Sequence, residues 1–264
     1  MADATAGDTA APISMGQRLS AVAMRLQSVW FLGHLVTLLN GSLYILFSRF
    51  GLGEGFYYRA YYGTILSYMI IIYKAHGVPQ ISRAYMQRIL MDENSQYLFL
   101  AVLWATSASV WVTLIPYVAF STFHTVTFTR SDIVPAISPP SEDLSLAKKV
   151  SQLLGSFVTE YQGKALRIAA FAEVWIIMPY LCLSIIFGST SILTPLLYGN
   201  FLRFRHFYSP LTKEAMRDLR IKFDGWTADP RVPEFGRNIY TRFRDFLTGL
   251  DVSSQAQQQQ EKEE

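Results

Sequence analysis

Apolar positions in this chain collect into long unbroken runs instead of alternating with charge. Four stretches lack Lys, Arg, Asp and Glu: Leu26–Ser48, Ala60–Tyr73, Asn94–Thr129 and Val174–Leu202. A helix needs about 20 apolar residues to cross a bilayer core. The first stretch has that length, flanked by Arg25 and Arg49, and predicts a membrane helix. It is too long for a secretory leader, and no small-residue cleavage site follows it. The second reaches spanning length if Phe56–Tyr58 and the stem of Arg59 extend it by snorkelling. The third, as one helix, would run about 54 Å; Pro116 is expected to divide it. The fourth is broken at Gly188–Ser191, with Pro179 and Pro195 in its arms. These readings predict a helical membrane domain over 18–202, with apolar segments at about 26–48, 56–73, 94–129 and 168–202.

Three further segments have helical period without spanning length. Leu19, Val22, Leu26 and Val29 share one face ahead of the first span. An amphipathic helix is predicted at about 142–162, with Leu146, Val150, Leu153, Leu154, Phe157 and Tyr161 on one side. Ser141 would cap it, and Glu142 and Asp143 suit its positive end. From Arg203 to Arg244 ten Lys or Arg face five Asp or Glu. Residues 203–250 therefore read as a basic amphipathic region. Its first stripe is Met216, Leu219 and Phe223; after the break at Asp229–Pro233 comes Phe235, Ile239, Phe243, Phe246, Leu247 and Leu250. This second stripe is the expected membrane-inserting face, and Arg237, Arg242 and Arg244 are the expected contacts to anionic lipid. The alternative is that these stripes dock on the protein's own spans. Residues 1–17 and the glutamine-rich 251–264 are expected to be disordered.

Composition agrees with the membrane reading: 51% of residues are apolar, only 16% are charged, and mean hydropathy is +0.21. A soluble domain carries about a quarter charged residues. Cys182 is the single cysteine, which excludes an intrachain disulfide framework, and a net charge of +3 is small for a nucleic-acid binder. The placement of charge leaves two topologies. In the first, three hairpins enter and leave from one side, and only Arg49 and Arg59 of the 23 basic residues lie across the membrane. In the second, 94–129 is one kinked span, and Arg130, Lys148, Lys149, Lys164 and Arg167 move across as well. The positive-inside rule favours hairpins, and both topologies put the two termini in the cytosol.

Candidate chemistry is sparse. His34, His76, His124 and His206 have no metal-ligand spacing, and Cys182 has no His or Lys near it in sequence. Gly51, Gly53 and Gly55 read as a turn, not a phosphate loop. Asn40-Gly-Ser42 matches a glycosylation sequon but lies in the middle of a span. No catalytic constellation, cofactor site or metal site is predicted. Glu173 and His124 are the intramembrane polar candidates. An acid at that position needs a partner from another helix or marks an ion pathway.

Several ordered motifs resemble a known family: Phe56-Tyr-Tyr-Arg-Ala60; Gln80-Ile-Ser-Arg-Ala-Tyr85 followed by Asp92; Pro116-Tyr-Val-Ala-Phe-Ser-Thr-Phe-His124 continuing to Thr127-Phe-Thr129; Glu173 with Met178-Pro179; and Pro195 with Tyr198, Phe201, Leu202 and Arg205. The series is similar to the transmembrane protein 33 family, which includes fungal pore-membrane nucleoporins. The resemblance implies a non-enzymatic protein of the endoplasmic reticulum and nuclear envelope. It implies reticulon-type membrane proteins, nucleoporins and an importin-type receptor as partners, besides curved anionic lipid. The expected fold is all-α and polytopic, with short or hairpin transmembrane helices and cytosolic amphipathic helices. The expected function is shaping of curved reticulum and pore membrane. The alternatives are a membrane-anchored adaptor without curvature activity, and a small transporter or channel subunit using Glu173.

Overall fold

The structure is a computed structural model that describes residues 14–51, 53–138, 145–238, 240–242 and 244–245. All regular structure among the described residues is helical. The chain divides into two units, residues 1–212 and 213–264.

The first unit begins with α1 (Met15–Ala23), started by a reciprocal capping box between Ser14 and Gln17. The uncharged run then forms α2 (Leu26–Phe47), and a turn with Gly51 and Gly53 at positive φ leads into α3 (Glu54–His76). α2 and α3 cross at small residues. A Cβ on Gly33 would lie 2.7 Å from the Gly63 carbonyl, and one on Gly63 would lie 2.6 Å from the Gly33 carbonyl. At that crossing the Thr37 hydroxyl is within 3.1 Å of the Ala60 carbonyl and 3.0 Å of Thr64 Oγ1, and Ser67 donates to the Trp30 carbonyl. Close backbone approach with interhelical hydrogen bonds is how helices associate without a hydrophobic drive between them.

Gly77 ends α3, and Ser82 and Asp92 cap the next two helices, α4 (Arg83–Met91) and α5 (Glu93–Ala105). The 94–129 run does not break at Pro116. It breaks at residues 106–110, where the Thr106 and Ser107 hydroxyls bond back to the Val102 and Leu103 carbonyls and terminate α5. Pro116 lies in the first turn of α6 (Leu114–Phe128), where a missing N–H leaves no hydrogen bond unmade. α5 and α6 then fold back on each other. The Tyr97 ring packs on Phe120 at 5.2 Å, and Tyr117 donates to the Tyr97 carbonyl.

Prolines at two other positions change helices without breaking them. A five-residue π turn, Thr129–Ile133, precedes α7 (Val134–Ile137), with Pro135 at its second position. A second, Glu173–Ile177, joins α8 (Ser145–Ala172) to α9 (Met178–Ile186), with Pro179 in the same place. Widening the turn makes room for a ring that would otherwise strike the carbonyl four residues back. The amphipathic segment and the first arm of the fourth apolar run are therefore one helical stretch, since neither cap nor proline separates 162 from 168. The expected Ser141 cap lies outside the described residues. A turn with Gly188 at positive φ leads to α10 (Leu193–Tyr208), which returns along α9: Tyr198 donates to the Glu173 carbonyl at 3.1 Å.

Contacts between loops and helix ends give the unit two unlike ends. At one end sit the tight turns: Tyr58 donates to the Ser107 carbonyl, Tyr61 is 2.7 Å from Thr113, and Trp104 near the end of α5 meets Tyr198 near the start of α10. At the other end His76 Nε2 lies 3.2 Å from an Asp92 carboxylate oxygen, Arg25 pairs with Asp132 at 3.2 Å, and Arg18 donates to the Ala136 carbonyl. That second end carries the short helices α1, α4 and α7. α8 adjoins it, with Gly155 under Arg130 and Phe157 stacked on Phe123 at 5.7 Å. α2 and the continuous run 146–186 are long and apolar enough to cross a membrane.

Candidate functional site

The membrane unit buries one charged cluster. Glu173 begins the widened turn ahead of Pro179 and is 1% exposed. Tyr97 of α5 donates its hydroxyl to Glu173 Oε1 at 2.6 Å. Arg205 from α10, itself 7% exposed, brings Nε to 3.9 Å from Glu173 Oε2 and pairs with Glu93 at the start of α5. The Arg205 guanidinium also lies over the Tyr97 ring, 5.2 Å from its centroid, where a cation meets the negative π face. Tyr68 of α3 also stacks on Tyr97, with ring centroids 6.0 Å apart. Three apolar segments thus meet at one ion pair and its tyrosines. Chemically this arrangement holds charge in place: Glu173 has a hydroxyl donor on one oxygen and a cation beside the other, so α5, the 173–177 turn and α10 are tied together.

The partner expected for Glu173 from another helix is Arg205. Sequence reasoning placed Arg205 among the basic residues after the last span and did not connect it to Glu173. The signal that could have found it is its place one turn inside the end of α10, on the face of Tyr198, Phe201 and Leu202, all buried. His124 lies beside Trp30 and His34, with ring centroids at 5.1 and 4.6 Å. His34 is buried and hydrogen-bonds Ser121 of α6 through Nδ1 at 3.0 Å. Among the described residues no three His, Cys, Asp or Glu gather closely enough to ligate a metal ion.

In the second unit, Tyr240 and Arg244 meet α11 (Pro210–Thr227). Tyr240 stacks on Phe223 at 5.7 Å and donates to Asp224 at 2.8 Å. Burial, and then this bond to a carboxylate, hold the Tyr240 phenol above its ordinary value. Of the predicted inserting face, Phe235 is 77% exposed; Ile239, Phe243, Phe246, Leu247 and Leu250 lie outside the described residues. Arg242 is exposed. Arg244 is held by Asp224 at 3.6 Å and Asp245 at 3.0 Å, while Arg237 is part-buried.

Comparison with known proteins matches residues 13–252 to the family described as transmembrane protein 33/nucleoporin POM33. The chain is 29% identical to tetra-spanning protein 1 of Schizosaccharomyces pombe, over 90% of this chain and 88% of that one. It is 28% identical to the pore membrane protein of 33 kDa of Saccharomyces cerevisiae, with the same coverage. Human transmembrane protein 33 is 26% identical over 86% of this chain and 90% of its own. No solved structure matches the chain. A family match across nearly the whole chain, on an all-helical fold with spanning apolar helices, shows that this protein belongs to the transmembrane protein 33/nucleoporin POM33 family of membrane proteins.

Proposed function

We propose that this protein shapes or stabilises curved membrane of the endoplasmic reticulum and nuclear envelope, and supports nuclear pore assembly or distribution, without catalysing a reaction. The observation that carries this reading is the inequality of the two ends of the membrane unit. One end holds tight turns, while the other holds α1, α4 and α7. Exposed apolar side chains line that wider end, including Met86, Leu90 and Met91 on α4. The neighbouring α8 adds Leu146 and Leu153. Helices lying at the interface enlarge the leaflet they occupy, and a bilayer with unequal leaflet areas curves with the larger leaflet on its convex face. With that wide end in the cytosol, as the charge placement favours, the membrane bulges toward the cytosol, as on tubules. The basic region 203–250 would add to the same leaflet, with Phe235, Ile239, Phe243, Phe246, Leu247 and Leu250 inserting and Arg237, Arg242 and Arg244 attracting anionic lipid.

The nuclear location is supported by relatives named as pore membrane protein and nucleoporin. Nucleoporins, reticulon-type membrane proteins and an importin-type receptor are the partners the family resemblance suggests. The test is sorting. The full chain, reconstituted in giant vesicles containing anionic lipid, should concentrate in narrow tubes drawn from them, and Phe243→Glu with Phe246→Glu should reduce that enrichment. Equal density on tube and vesicle would overturn the curvature reading. It would favour the adaptor, whose tail binds a soluble partner and leaves lipid alone.

A further inference from the structure

A second polar feature of the membrane unit is distinct from the Glu173 cluster. Arg130 sits in the widened turn ahead of Pro135, directly after the uncharged run ends at Thr129. Its guanidinium lies flat against α8 at Gly155, where an added Cβ would come within 2.8 Å of Cζ and 3.1 Å of Nε and Nη1. A glycine inside a helix costs about 1 kcal/mol relative to alanine. Here the missing Cβ leaves the space in which the Arg130 guanidinium rests on the helix.

Arg130, Gln152, Gly155, Ser156, Thr159 and Glu160 line a concavity between this turn and α8. Among the described residues the Arg130 guanidinium makes no hydrogen bond or ion pair. Gln152 and Ser156 stand one turn apart on the same face and supply an amide and a hydroxyl as further donors; both are exposed. Lys148 is one turn earlier on that face. The one acid on the rim, Glu160, is paired with Lys164 at 3.5 Å, and Thr159 donates its hydroxyl to the Gly155 carbonyl. The depth is also defined. Phe128, two residues before Arg130, is buried against Phe31, and Asp132, two residues after it, pairs with Arg25 at the start of α2. Arg130 therefore stands in the layer where apolar helix gives way to charge, which is the layer of lipid headgroups.

The geometry points to a binding site for the phosphate of an anionic membrane lipid, with Arg130 supplying the planar pair of N–H donors that matches phosphate oxygens and Gln152 and Ser156 completing the contact. The site also explains Gly155: a larger residue would displace the guanidinium without removing its charge.

Native mass spectrometry of the full chain in neutral detergent tests this, titrating phosphatidic acid, phosphatidylserine, phosphatidylcholine and inorganic phosphate separately. The expected result is one retained anionic lipid per chain. Retention should fall by about tenfold or more in Arg130→Gln, the loss of one charge-assisted pair, and comparably in Gly155→Val. Arg83→Gln, an exposed arginine on α4, should retain it. Arg130→Lys keeps the charge without the fork and should bind at an intermediate level; it decides the matter if Arg130→Gln does not fold. Equal losses in Arg130→Gln and Arg83→Gln would reduce binding to general surface charge and overturn the site. Displacement by inorganic phosphate at the concentration that saturates with lipid would overturn the lipid as the phosphate source.

Discussion

The Glu173 cluster makes a quantitative prediction about how the membrane unit is held together. Arg205 compensates two carboxylates, the buried Glu173 and the more exposed Glu93. At 3.9 Å and an effective dielectric constant near 20, the Glu173–Arg205 attraction is about 4 kcal/mol. Arg205→Met leaves Glu173 with the Tyr97 hydroxyl alone. Removing one partner of a buried pair costs about 3–5 kcal/mol. Glu173→Gln keeps an oxygen for Tyr97 and leaves Arg205 bonded to Glu93, so its cost should be about 1–2 kcal/mol. The double substitution removes both charges together and should cost less than the sum of the two by at least about 1 kcal/mol. Read as the temperature at which the detergent-solubilised full chain leaves its monodisperse size-exclusion peak, Arg205→Met should lower the midpoint by on the order of 6–20 °C. The double variant should lower it by less than the two single shifts added together. If Glu173→Gln proves as damaging as Arg205→Met, or the two effects simply add, then the cluster is not an ion-pair tie and the argument fails. A flux that Glu173→Gln abolishes while stability holds would instead favour the transport reading.

The α2–α3 crossing gives a packing test. Gly63→Leu drives a side chain into the Gly33 carbonyl and should destabilise the same thermal assay by about 1–3 kcal/mol or more. Gly163→Ala, with open space around it in α8, should stabilise by about 0.5–1 kcal/mol; equal effects at both sites would contradict the close crossing. Topology is read by cysteine labelling in sealed microsomes, on Cys182→Ser protein with single cysteines at Ser145, Ser189 or Ser254. The hairpin arrangement predicts labelling from outside at Ser145 and Ser254 and protection at Ser189. Protection at Ser145 would refute it and leave curvature to the C-terminal region alone.

The membrane class, the helical fold and the turn at Gly188 were all legible from the chain, because each depends on residues close together in sequence. An uncharged run such as Leu26–Ser48 specifies its own environment: transfer of each side chain into lipid adds locally, and the backbone must then be helical to satisfy its own hydrogen bonds. The position of the break in 94–129 was only half legible. Proline is the loudest local signal, yet Pro116 fits a first helical turn at no cost, while Thr106 and Ser107 end α5 with their own hydroxyls. Pro135 and Pro179 were absorbed by widened turns for a similar reason, since the helices on either side continue and hold the chain in line.

The cluster itself was not legible beyond the need of Glu173 for a partner. Tyr97 and Glu173 are 76 positions apart, and Arg205 and Glu93 are 112 apart. Gly155 likewise reads as a minor weakness in a helix until Arg130 is found resting on it. Composition and charge placement by themselves determined that this protein is a helical membrane protein, because partition into lipid is a property of contiguous segments. Only the tertiary structure decided which buried charge meets which. That choice depends on three-dimensional juxtaposition: a carboxylate in apolar surroundings is stabilised by whichever cation and hydroxyl the packing of distant helices brings within reach.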